Sequence, residues 1–117
     1  MKKKHQVIGM KNLEETADLI IYLANLPSAN LRPELRLQWA KPFCANIPWF
    51  IKEVPTIFIS LANPYHLQDI PRVPIYINTY FGNEQVIDCL FDKLTGKSPF
   101  KGSNPVDPYC GKWDTRL

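Results

Sequence analysis

The chain is poor in the residues that carry most small-protein chemistry, with two histidines, three cysteines and five glycines among 117 positions. Cys44, Cys89 and Cys110 are odd in number and follow no Cys-x-x-Cys or Cys/His spacing, which points to free thiols in a reducing compartment and to no metal site. None has an activating neighbour in the sequence, and Cys89 is expected to be buried inside a helix. There is no Gly-x-Gly-x-x-Gly or phosphate loop, so a dinucleotide or other phosphate cofactor is not expected. No apolar run approaches the roughly 20 residues of a membrane span, and His5-Gln6 and Lys11-Asn12 interrupt what would be a signal-peptide core. The net charge of +3 is scattered apart from Lys2-Lys3-Lys4, which gives no basic stripe for nucleic acid. These absences predict a soluble, cytoplasmic protein without cofactor, metal, nucleic-acid or membrane partner.

What is present is a core and its punctuation. Hydrophobic residues make up 45% of the chain, enough for one domain, and eleven prolines fall mostly between the periodic runs or at their edges. The organising stretch is 55–81. Residues 56–61 are almost continuously apolar and β-branched, as in a strand buried on both faces of a parallel sheet. Residues 74–80 read as a second strand, with Pro74 tolerated at its first position. The 63–73 connection is too long for a tight hairpin and fits a one- or two-turn helical crossover, so the pair is expected to be parallel.

Ahead of this stretch, 6–9 reads as a short edge strand, Asn12 and Glu15 mark a helix start, and 17–24 is a further strand. Pro33 opens a helix to Ala40, and a second helical piece lies at 48–53. Trp39, Trp49 and Phe50 are expected to pack helix on sheet. Beyond 80, Val86, Ile87, Leu90, Phe91 and Leu94 repeat at helical spacing from Glu84, and Gly96 sits where a C-terminal cap belongs. The organisation expected is a basic arm or linker at 1–11, a sandwich domain at 12–97 and an extended strap at 98–117 anchored by Phe100, Tyr109 and Trp113.

Candidate functional residues gather at strand ends, where parallel sheets bind ligands. Asn63, Tyr65 and His66 follow the central strand; Asn25, Asn30 and Arg32 belong to the loop after the first. The simpler role for Asn63 and His66 is to hold the corner by side-chain to backbone bonds around Pro64. Glu14, Glu15 and Glu84 suit first turns of helices, and Asp88 and Asp92 suit a solvated helix face. Only Glu53, Asp69 and His66 would have to converge for the chain to have chemistry of its own, and no catalytic residue is assigned.

The run Ile59-Ser60-Leu61-Ala62-Asn63-Pro64-Tyr65-His66-Leu67, followed by 73–80 and a helix ending Leu94-Thr95-Gly96-Lys97, resembles the C-terminal domain of family 3 glycoside hydrolases. Ile47-Pro48-Trp49, Glu53-Val54-Pro55 and Ser103-Asn104-Pro105-Val106-Asp107-Pro108 resemble the bacterial β-N-acetylhexosaminidase branch in particular. The resemblance runs from about Ala17 onward. It implies a three-layer α/β/α sandwich with a mostly parallel, flavodoxin-like or Rossmann-like sheet, lacking one or two early strands of the family domain. It also implies packing against a catalytic (β/α)8 barrel that holds the amino-sugar glycoside and the catalytic groups, none of whose motifs occurs here. The expected role is a non-catalytic accessory domain that shapes the sugar cleft. The alternative is a free-standing α/β module for ligand binding or self-association, and a homo-oligomer is expected where an apolar docking face stays open.

Overall fold

The computed structural model describes residues 16–26, 37, 49–70 and 72–112. Three strands, β1 (Ile20–Ala24), β2 (Thr56–Ser60) and β3 (Ile75–Asn78), form one parallel sheet in the order β1-β2-β3. Ile21 pairs with Ile57 and Leu23 with Ile59 on one side of β2, and Phe58 with Tyr76 and Ser60 with Asn78 on the other. The central place of β2 follows from its composition. Its apolar or small side chains are directed to both faces, and it is the strand buried on both, with Thr56, Phe58, Ile59 and Ser60 all buried. The sheet is thus the α/β arrangement expected, and the 63–73 connection is a crossover through the 3-10 turn Pro64–Asp69.

Each sheet face has its own core. Phe58 stands between Tyr22 and Tyr76 on one face, its ring stacked on both with centroids 6.2 and 5.7 Å away, and Ile70, Val73 and Leu37 close over them. On the opposite face Ile57, Ile59 and Ile77 meet Leu90 and Leu94 of helix α1 (Glu84–Leu94). Alternate residues of β2 therefore feed two layers. Asn83 caps α1 by accepting from the Val86 amide at 2.8 Å, and the helix ends where Gly96 takes a left-handed φ of 77°.

Several boundaries and placements differ from the sequence reading. β1 starts at Ile20, not at 17, and β3 stops at Asn78, because Tyr80 turns left-handed with φ 62° and cannot continue a strand. The 48–53 piece is the 3-10 turn Trp49–Lys52. Cys89 is exposed, contrary to expectation. It lies one residue, and so about 100° around the helix, from the buried Leu90, on the side shared by the exposed Gln85 and Asp92. Phe91 is also largely exposed, leaving Leu90 and Leu94 to make the contact with the sheet.

The segment after α1 returns to the crossover turn. Tyr109 Oη donates to the Leu67 carbonyl at 3.1 Å, Gln68 Nε2 donates to the Pro108 carbonyl, and Pro108 is buried. Phe100 is not an anchor: it is exposed beside α1, with Lys93 Nζ 5.8 Å from its ring centroid. The expected strand at 6–9, the helices at 12 and 33–40, and Trp39 and Trp113 lie outside the described residues, as do the side chains of Trp49 and Phe50.

Candidate functional site at the strand ends

All three strands point the same way, so their C-terminal ends share one edge of the sheet. At the exit of β2, Asn63 stays extended and its Oδ1 accepts from the Tyr65 amide at 2.9 Å, while Pro64 occupies the first helical position without an N–H to satisfy. The turn brings His66 back against Ser60, and both are fully buried. A hydroxyl has one proton to give. Ser60 Oγ lies 2.6 Å from the Asn63 carbonyl, which can only accept, so the hydroxyl donates there and receives a bond from His66 Nδ1 at 2.8 Å. The geometry thereby assigns the Nδ1–H tautomer to His66 and leaves the lone pair on Nε2.

Burial lowers the His66 pKa below the ordinary value of 6.5, with the Asp69 charge opposing. The imidazole is neutral near neutrality. Tyr76 closes the same cluster. Burial pushes its phenol up to about 12, with the neighbouring Ser60 side chain and Leu67 backbone opposing, and the phenol donates to the Pro64 carbonyl at 3.4 Å. His66 Nε2 and Asn78 Oδ1 are buried acceptors without a hydrogen-bond partner among the described residues.

The exits of β1 and β3 meet each other. A Cβ on Gly82 would stand 3.1 Å from Asn25 Oδ1, so a larger residue here would have to displace the Asn25 side chain by a few tenths of an ångström. Thr79 bonds across to β2, its amide donating to the Ser60 carbonyl at 3.0 Å and its Oγ1 lying 3.1 Å from the Leu61 carbonyl. Tyr80 Oη donates to Asn104 Oδ1, which joins the C-terminal segment to this edge. The left-handed turn at Tyr80 directs the chain outward, and Phe81 is 63% exposed; Tyr65, on the neighbouring turn, is 48% exposed.

Of the residues expected at a site, Asn63 and His66 are internal to the corner, Tyr65 and Asn25 are at its surface, and Asn30 and Arg32 lie outside the described residues. Sequence reasoning missed Ser60, Asn78, Tyr80, Phe81 and Gly82. Ser60 and Asn78 had a usable signal, since each is the polar last residue of an otherwise apolar strand. The left-handed backbone at Tyr80 had none.

Glu53, Asp69 and His66 do not converge. Glu53 precedes β2 while Asp69 and His66 follow it, and five strand residues separate those ends by about 17 Å. Asp69 Oδ2 instead accepts from the Leu37 amide at 2.9 Å. Among the described residues no group of three or more His, Cys, Asp or Glu could hold a metal ion. Among the described residues the edge is polar inside, at Ser60, Asn63 and His66, and aromatic outside, at Tyr65, Tyr80 and Phe81.

A parallel α/β domain with a polar and aromatic strand-end edge is the class these features define. No protein-family model matches the chain. It is 48% identical over 106 residues to a β-N-acetylglucosaminidase/β-glucosidase of Cellulomonas fimi, a match covering 91% of this chain and 19% of that protein. The solved structure of β-glucoside phosphorylase BglX superposes with a TM-score of 0.77 at 43% identity, covering 92% of this chain and 19% of its own. The same protein bound to 2FGlc gives 0.75 at 42%, covering 87% and 18%. The chain is a relative of family 3 glycoside hydrolases and corresponds to their C-terminal domain. It spans about a fifth of the length of the relatives it matches.

Proposed function

We propose that this chain acts as the non-catalytic α/β domain of a β-glycoside-cleaving enzyme, packing its strand-end edge on a catalytic (β/α)8 barrel and completing one wall of the sugar cleft. The observation that carries this is the coverage. Nearly the whole chain matches, yet it accounts for only 18–19% of each solved relative. The scattered acids support the same reading, because glycosidic cleavage usually needs two catalytic groups facing one bond and Glu53 and Asp69 stand at opposite ends of β2. β-N-Acetylglucosaminides are the substrates we favour for the assembled enzyme. The exposed free thiols Cys89 and Cys110 fit a reducing, cytoplasmic setting.

Complementation tests this role. The Cellulomonas fimi relative lacking its matched region is mixed with this chain, and cleavage of aryl β-N-acetylglucosaminide and aryl β-glucoside is followed with and without phosphate. The expected result is turnover that appears only on mixing and is greater on the N-acetyl substrate. Turnover by this chain alone would overturn the non-catalytic role. Failure to co-elute, with no turnover in the mixture, would favour a free-standing module.

A further inference from the structure

Two hydrogen-bonded runs approach each other at the strand ends. The first belongs to β2 and the crossover turn: His66 Nδ1–H donates to Ser60 Oγ at 2.8 Å, and the Ser60 hydroxyl donates to the Asn63 carbonyl at 2.6 Å. The second belongs to the end of β3 and the C-terminal segment. Tyr80 Oη donates to Asn104 Oδ1, which also accepts from the Val106 amide at 3.3 Å. A phenol that has given its one proton away can only accept. Burial raises the Tyr80 phenol, and the Val106 backbone and the Asn78 side chain oppose the rise. A side chain that favours the phenolate turns a donor toward it, so the Asn78 amide directs its NH2 to Tyr80 and its buried Oδ1 inward.

Each run ends on a buried acceptor. The bond to Ser60 uses the only N–H of a neutral imidazole, which leaves His66 Nε2 with a lone pair. Neither Nε2 nor Asn78 Oδ1 has a hydrogen-bond partner among the described residues. The two belong to one neighbourhood. Ser60 and Asn78 are register partners on adjacent strands, two residues beyond the Phe58–Tyr76 pair, so all four side chains share a sheet face. His66 lies on that face too, bonded to Ser60 and edge-on to Phe58 with centroids 6.4 Å apart.

A buried acceptor without a donor has lost its hydration and gained nothing, and folded proteins seldom keep two such atoms. Two acceptors cannot satisfy each other. A lysine or arginine head would have to shed its own hydration to reach atoms that solvent does not touch. A small neutral molecule with two protons to give meets both needs.

We propose that an internal water bridges His66 Nε2 and Asn78 Oδ1, donating one proton to each and joining the crossover turn to the end of β3. Two hydrogen bonds of about 2.8 Å span acceptors up to roughly 5.6 Å apart, more than the roughly 4.8 Å between neighbouring strands. One network then runs from Asn63 through Ser60, His66, the water, Asn78 and Tyr80 to Asn104, and it fixes the strand-end edge from beneath. The site stands whether or not this chain docks on a barrel.

The test is NMR on the full 117-residue chain, backed by a crystal structure. Long-range proton–nitrogen correlation at neutral pH should find His66 protonated at Nδ1 and bare at Nε2. A protonated Nε2 would overturn the proposal, because that atom would need no donor. Water-selected NOE and ROE spectra should show a long-lived water beside His66 Hδ2, the ring proton next to Nε2, and absence of that cross-peak would also overturn it. Asn78→Leu removes the second acceptor and should lose the cross-peak while keeping the far-UV circular dichroism of wild type. Persistence in this variant would mean that His66 alone, or exchange through the Ser60 hydroxyl, gives the signal, and the bridge would fall. The crystal structure of wild type decides independently of whether the variant folds. Ordered water within about 3.2 Å of both atoms supports the bridge. The Asn78 NH2 turned onto Nε2, or a side chain from outside the described residues donating there, overturns it.

Discussion

His66 shows how one residue can be chemically potent and structurally occupied. Its Nδ1–H is bonded to Ser60, its ring stands edge-on to Phe58 with centroids 6.4 Å apart, and its burial disfavours the imidazolium. Folding must then respond to acid. The unfolded chain takes up a proton near the ordinary histidine value of 6.5 while the folded chain still resists it. Stability contributed by the neutral ring is complete above that value and declines as pH falls toward the lower folded pKa. Urea midpoints measured from pH 7.5 to 5 should fall for wild type, and more steeply than for His66→Gln. Equal slopes would mean that the ring is not held neutral. His5 contributes equally to both proteins if the substitution stays local.

At the scale of elements, α1 depends on its ends as much as on its face. Only Leu90 is fully buried along it, so the cap made by Asn83 carries weight. Asn83→Ala should lower stability by about 1 kcal/mol, because it strips the acceptor from the Val86 amide, whereas Asn83→Asp should be close to neutral. Thermal melts of the two variants decide this. The crossover turn is held differently, by Asn63 capping from within and by Gln68, Leu67 and Tyr109 joining it to the C-terminal segment. A six-residue 3-10 turn has poor hydrogen-bond geometry of its own. Tertiary contacts stabilise it.

For the whole molecule, the exposed ring of Phe81 at the strand ends is where the proposed assembly can be tested. Phe81→Ser should change the stability of the isolated chain by no more than about 0.5 kcal/mol, since the ring is mostly in water. The same substitution should weaken association with the truncated relative if this edge is the contact face. Titration of binding beside chemical denaturation separates the two effects. A large stability loss with unchanged binding would move the contact elsewhere.

What the sequence determined by itself was local. The apolar run at 56–61 could be a central strand and little else, the crossover length made its partnership with β3 parallel, and the 84–94 periodicity with Asn83 and Gly96 set α1 nearly to the residue. The corner Asn63-Pro64-Tyr65-His66 was legible for the same reason, because caps and proline act within a few residues. Tertiary structure decided the rest. Tyr80 turns left-handed among bonds to β2 and the C-terminal segment, Asn25 meets Gly82 from across the sheet, and Cys89 faces water because the helix's rotation was settled by Leu90 and Leu94. Such outcomes depend on partners distant in sequence, so no local pattern could encode them.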